Sequence, residues 1–297
     1  MDLVAKTLLG LANDQINTVE FYRVDPKWLL LYTDASLLLV AVNLRRPIES
    51  NGLDLVRLLD MAIIVTGGAG RSRPQWIALL LREAQATILR HTEPLAEKPL
   101  KKRRQMEKPT DSVAVLTSLY AKRSVKELDS APSMSDYTNL YAHTPFIVRG
   151  FAGPDSTLPW PALHRWKSAE YLLDAVGNGR VVPVECGEAY VDETWGQKIV
   201  PFRTFLSKVG YDIEHERQDD DHETLYLAQH SLFRQFPMLE RDFALPDYVW
   251  AQPQTEYPHS RIESGPIVNV WIGQSERHPV SPAHTVSDCY LCCIPRS

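Results

Sequence analysis

Cysteine is scarce in this chain: four in 297 residues, three of them crowded into the last nine. So few thiols exclude a disulfide framework and point to a reducing compartment, nuclear or cytoplasmic. An excess of positive charge is also missing. With 32 Lys and Arg against 37 Asp and Glu, the net charge is -5, which gives no global case for a polyphosphate partner, and direct nucleic-acid binding is not expected. No long hydrophobic run stands out either. The most apolar stretch, Trp28 to Val42, is interrupted by Asp34, reads as too short to span a bilayer and is expected to be a buried helix. Asp2 and the lack of a basic stretch before an apolar one exclude the pattern of a secretory leader. No repeat at solenoid spacing occurs.

What remains is 44% hydrophobic and 23% charged, enough for two modest domains with cores of their own. The first ninety residues read as helices. Val4, Leu8 and Leu11 fall on one face, Leu55, Leu59 and Ile63 on another, and Ile77, Leu80, Leu81, Ala84 and Ile88 form a third stripe. Residues 93–140 turn to Lys, Arg, Glu and Pro, a charged linker with one helix expected from Asp111 to Lys122. After Tyr141 the texture becomes strand-rich. Pro145 to Val148, Val181 to Val184 and Ile267 to Ile272 read as strands, with helical spacing at Phe202, Phe205, Leu206 and Val209 and at Leu232, Phe233 and Phe236.

Several local patterns tempt and fail. Ile63-Ile64-Val65-Thr66-Gly67-Gly68-Ala69-Gly70 looks like a strand entering a phosphate-binding glycine turn. Arg73 holds the place of the third glycine, Pro74 follows, and the surroundings are helical, so a loop between helices is expected. Lys101-Lys102-Arg103-Arg104 suits either a solvated linker or a basic address signal. Gln218-Asp219-Asp220-Asp221-His222-Glu223 lacks the spacing of a calcium loop. Cys289, Cys292 and Cys293 lack the second ligand pair of a zinc site.

One ordered set is more specific. Val182-Pro183-Val184-Glu185-Cys186-Gly187 is followed by Tyr190, Asp192-Glu193 and Trp195-Gly196-Gln197. Then come Tyr226-Leu227-Ala228-Gln229-His230-Ser231-Leu232-Phe233, Pro246-Asp247-Tyr248, Asn269-Val270-Trp271-Ile272-Gly273 and Ser281-Pro282-Ala283-His284-Thr285. From about Thr144 to Thr285 this series resembles JmjC proteins of the lysine-demethylase-8 type, which are cupin-like iron(II)/2-oxoglutarate oxygenases.

The resemblance implies an α+β fold: an α-helical N-terminal domain (1–92), the linker (93–140), and an incomplete double-stranded β-helix of the cupin/JmjC jelly-roll kind (141–285). It also implies Fe(II) and 2-oxoglutarate as cofactors and a protein or peptide as substrate, with no membrane partner. On it, His284 is the first metal ligand, Tyr226 and Ser281 bind 2-oxoglutarate, and Glu185 and Trp195 line the substrate pocket. The pattern then breaks. Val286 stands where the carboxylate of a His-x-Asp pair is expected, and Asp288 on a strand lies one pleat farther along the same side. Residues 286–297 read as a non-homologous tail and the chain as a truncated form, expected to be inactive. The alternative is a non-catalytic protein-binding or regulatory module.

Overall fold

The computed structural model describes residues 1–45, 52–91, 125–142, 144–187, 195–213, 224–251, 267–273 and 289–294, with 89–91, 267 and 289–294 as backbone alone. Two compact units are present. One comprises Met1–Ala96, Trp166–Glu240 and Asn269–Leu291, and the other Glu97–Arg165, Arg241–Val268 and Cys292–Ser297.

The first unit opens with four helices: α1 (Asp2–Asn17), α2 (Pro26–Leu44), α3 (Gly52–Thr66) and α4 (Arg73–His91). The start of α2 has a local cause. Asp25 caps α2 by accepting from the Lys27 N–H at 3.0 Å, and Pro26 sits in the first turn, where a missing N–H costs nothing. Asp2, in the first turn of α1, also accepts from Asn43 Nδ2 at 3.0 Å, tying the start of α1 to the end of α2. Leu55, Leu59, Ile77, Leu81 and Ala84 are buried as their spacing predicts.

The α1 stripe is a correction. Val4 is 59% and Leu11 45% exposed, while Ala5, Ala12 and Ile16 are buried. Two apolar stripes run along this helix, and the one made of small residues lets α1 lie close against α2. The apolar run of α2 needs correcting too. The helix is 19 residues long and meets the length and composition of a membrane span. It packs against α1, α3 and α4, and its Thr33 and Ser36 hydroxyls are buried on the Leu29 and Tyr32 carbonyls. Those are the features of a core helix.

The glycine-rich segment is the expected loop between α3 and α4. Gly67, at φ +68°, ends α3, with its N–H on the Ile63 carbonyl and that of Gly68 on the Ala62 carbonyl. This is a helix C-cap that spends the amides a phosphate would need.

Two short strands, β1 (Lys126–Leu128) and β2 (Phe146–Val148), pair in parallel. The sequence pattern marked β2 but not β1. Between them Ser133 caps a helical turn at Met134–Asp136 that runs on to Tyr141. In this second unit Tyr137 stacks near Tyr248, whose hydroxyl donates to the Pro132 carbonyl. Asp242 is fully buried on Arg165.

Farther along the chain come α5 (Ala169–Val176), β3 (Val181–Cys186), β4 (Gly196–Pro201), α6 (Phe202–Lys208), β5 (Leu225–His230), α7 (Leu232–Gln235), β6 (Ile267–Gly273) and β7 (Cys289–Ile294). The sheet order is β4-β3-β5-β6-β7, and β3, β4, β5 and β6 pair antiparallel. The fold is therefore α+β: a helical N-terminal region and an antiparallel sheet. Alternation decides its faces. Val182, Val184, Leu225, Leu227, Val270 and Ile272 are buried on one side with Phe202, Phe205 and Leu206 of α6.

A buried ion pair fastens the helices to this sheet. Asp60 of α3 accepts from Arg180 Nε at 3.0 Å and Nη2 at 2.6 Å, and from the Val181 N–H at 2.9 Å. Gln85 of α4 adds bonds to the Val176 and Asn178 carbonyls at 3.2 and 3.1 Å. The helical segment and the sheet thus belong to one compact unit, although their textures differ along the chain.

Candidate functional site

The sheet face opposite the core carries the residues marked by sequence. Gln197, Glu185, Tyr226 and Gly273 stand directly across from one another on β4, β3, β5 and β6. Residues directly opposite in an antiparallel pair point to the same face. Trp195 immediately precedes β4, two residues before Gln197. It meets Gly187, at φ +121°, where an added Cβ would lie 3.2 Å from the Trp195 Cα. Glycine lets the backbones at the mouth of this hairpin close up.

Partial burial, and then the Glu185 carboxylate, raise the Tyr226 phenol above its ordinary range. Tyr226 therefore keeps its proton at neutral pH and remains a hydrogen-bond donor. Its ring lies over Gly273. A Cβ there would fall 2.5 Å from Cδ2 and 3.0 Å from Cε2 of the ring, so the absent side chain gives Tyr226 its place.

Gly273→Ala should displace the ring and cost about 1–3 kcal/mol through overpacking. Gly196→Ala, on the same sheet with nothing within 4 Å of an added Cβ, should be near neutral. Urea midpoints of the two variants compare them, and equal midpoints would contradict the packing argument.

Beyond Tyr226 the strand is irregular. Leu227 pairs with Ile272 and His230 with Val270, so β5 holds one extra residue, a β-bulge. Gln229 within it has φ +48°, the left-handed region that non-glycine residues rarely enter. Past the bulge, the His230 ring is inward and 2.7 Å from Gln235 Oε1. Burial lowers its tendency to protonate, outweighing the opposing pull of Gln235 and Asp60.

Of the five residues assigned by resemblance, the structure brings Glu185 and Tyr226 onto one face and places Trp195 at the start of β4, against Gly187. Ser281 and His284 lie outside the described residues, as do the Lys101–Arg104 cluster, the 111–122 helix, the 218–223 acidic run and the Cys289, Cys292 and Cys293 side chains. Among the described residues no three His, Cys, Asp or Glu side chains cluster as a metal centre. At Val286 the chain offers no lone pair beside His284, so the donor set does not fit a His-x-carboxylate iron site.

Sequence reasoning passed over Gly273 and Gln197 as members of the row, and Asp60, Arg180 and Gln235 entirely. The signal for Asp60 was present. It is a lone charge flanked by Val56, Leu59, Ala62 and Ile63, within the apolar stripe of an amphipathic helix.

The model of the cupin-like domain family matches residues 134–295. The chain therefore belongs to the cupin-like domain family. The match continues past the last motif at Thr285. Jumonji C domain-containing protein 5 of Drosophila melanogaster is 35% identical over 190 residues, 59% of this chain and 40% of that protein. Lysine-specific demethylase 8 of Danio rerio is 26% identical over 285 residues, 94% of this chain and 63% of that protein. Lysine-specific demethylase JMJ30 of Arabidopsis thaliana is 32% identical over 141 residues, 48% of this chain and 28% of that protein. The chain thus spans less than two thirds of the length of each of these JmjC relatives.

Proposed function

We propose that this chain presents the substrate-facing strands of a protein-directed iron(II)/2-oxoglutarate oxygenase of the JmjC kind, nuclear or cytoplasmic, and that with Val286 beside His284 it binds without turning over. The observation that carries the reading is the row of Glu185, Tyr226 and Gly273 on the solvent-side face of the sheet, with Trp195 beside it. Glu185 supplies a carboxylate suited to a cationic side chain. Trp195 supplies an aromatic wall over which such a side chain can lie. Tyr226, held protonated, donates to an acceptor such as a carboxylate oxygen of 2-oxoglutarate. The donor set at His284 to Val286 does not complete an iron site. Val286 also favours the binding-module reading over catalysis.

The test is fluorescence anisotropy with a labelled lysine-containing peptide and the same peptide with every lysine acetylated. The unmodified peptide should bind more tightly, and Glu185→Gln should weaken it roughly tenfold or more, the scale of truncating one partner of a desolvated charge pair. Equal binding of both peptides, or no effect of Glu185→Gln, would remove the basis for this reading.

A further inference from the structure

His230 belongs by count to the site face and by position to the core. On an unbroken strand, Tyr226, Ala228 and His230 would share a side. The bulge instead sets His230 across from the fully buried Val270 and turns the imidazole inward.

There it enters a closed circuit. The Gln235 amide nitrogen donates to Asp60 Oδ1 at 2.8 Å and to the Val181 carbonyl at 2.7 Å. Its oxygen is left as the acceptor, so His230 donates from Nε2. Asp60 also takes the Val181 N–H and the Arg180 guanidinium, and Arg180 reaches on to the Gln235 carbonyl at 3.0 Å. The bonds run from the end of β5 through α7 to α3, and back to the first residue of β3. Val181 lies four residues from Glu185 along β3, and His230 four residues from Tyr226 along β5. The left-handed backbone at Gln229 is unfavourable for a residue that carries a Cβ. It accompanies the bulge that brings His230 to Gln235.

We propose that Asp60, Gln235 and His230 are positioning residues that fix β3 against β5 and so set the Glu185–Tyr226 pair, with the Gln229 bulge as the device that delivers His230 to them. None of the three stands on the site face. The inference rests on reading that face as the site, but its readout is the state of Tyr226 and not peptide binding, so either can fail alone.

The experiment uses the full chain with Cζ-labelled tyrosine, the Tyr226 signal being identified by its loss in Tyr226→Phe. His230→Leu should shift that signal, move its titration down toward the ordinary tyrosine range, and speed exchange of the protected β5 amides roughly tenfold or more. His230→Gln, which keeps an N–H donor, should retain the native behaviour. Leu39→Ala, a core truncation in α2, should lower the melting temperature and leave the Tyr226 titration in place. A Tyr226 signal unmoved by His230→Leu, or moved equally by Leu39→Ala, overturns the proposal. Should His230→Leu not fold, hydrogen exchange of the native chain decides. The Val181 amide and the β5 amides should open in one event with one denaturant dependence, and independent opening overturns the proposal.

Discussion

Asp60→Ala is expected to cost about 3–5 kcal/mol, a large share of the 5–15 kcal/mol that holds a typical domain together. The reason is the charge left behind. Asp60 is fully buried and the Arg180 side chain is 3% exposed, so removing the carboxylate strands a guanidinium that water cannot reach. That guanidinium lies 4.5 Å over the Phe236 ring and donates to the Val176 and Gln235 carbonyls, contacts that hold it in place but do not neutralise it. The Val181 N–H and Gln235 Nε2 lose an acceptor at the same time. Replacing both charges, as Asp60→Leu with Arg180→Met, should recover much of the loss, because the intact pair is weak evidence of net stability while a broken one is strongly destabilising. Urea unfolding of the full chain, followed by circular dichroism, checks both. A single-variant cost under about 1 kcal/mol would mean that water reaches Arg180. The same pair joins the helices to β3, so residues 1–92 by themselves would keep the aspartate and lose its partner.

That dependence shows where the sequence was readable. Helices α3 and α4 were legible because their apolar positions recur at helical spacing, and α2 because it is the most apolar stretch of the chain. Strand β6 was legible because it alternates, and β3 because it is rich in valine. The face of α1 was misread because Val4, Leu8 and Leu11 outweigh Ala5 and Ala12 in hydrophobicity, whereas close approach to α2 favours the small side chains. Strand β4 escaped because Gly196-Gln197-Lys198-Ile199-Val200 does not alternate, its place being set by pairing with β3. Glu185, Trp195 and Tyr226 were found through an ordered series of motifs. The common face of Glu185 and Tyr226 follows from a register that joins residues about forty apart in sequence. The inward turn of His230 could not be read at all. It depends on one extra residue in β5 relative to β6, and local spacing carries no trace of it.

The largest expected effect on function concerns the residue beside His284. Oxygenases of the kind this chain resembles hold iron through two histidines and a carboxylate, and Val286 offers none of these. Loss of a group that merely supports a metal ligand typically costs about 10–100-fold in affinity or activity, and loss of a ligand itself should cost more. Val286→Asp restores that one donor beside His284. The direct measurement is succinate release from 2-oxoglutarate with iron(II), ascorbate and oxygen, with a complete JmjC oxygenase as positive control. The native chain, with Val286 in the carboxylate's place, should not exceed the no-enzyme blank, and Val286→Asp tests whether the carboxylate is the missing group. Succinate from the native chain would contradict the account, and succinate from Val286→Asp alone would mean that the chain lacked only its carboxylate.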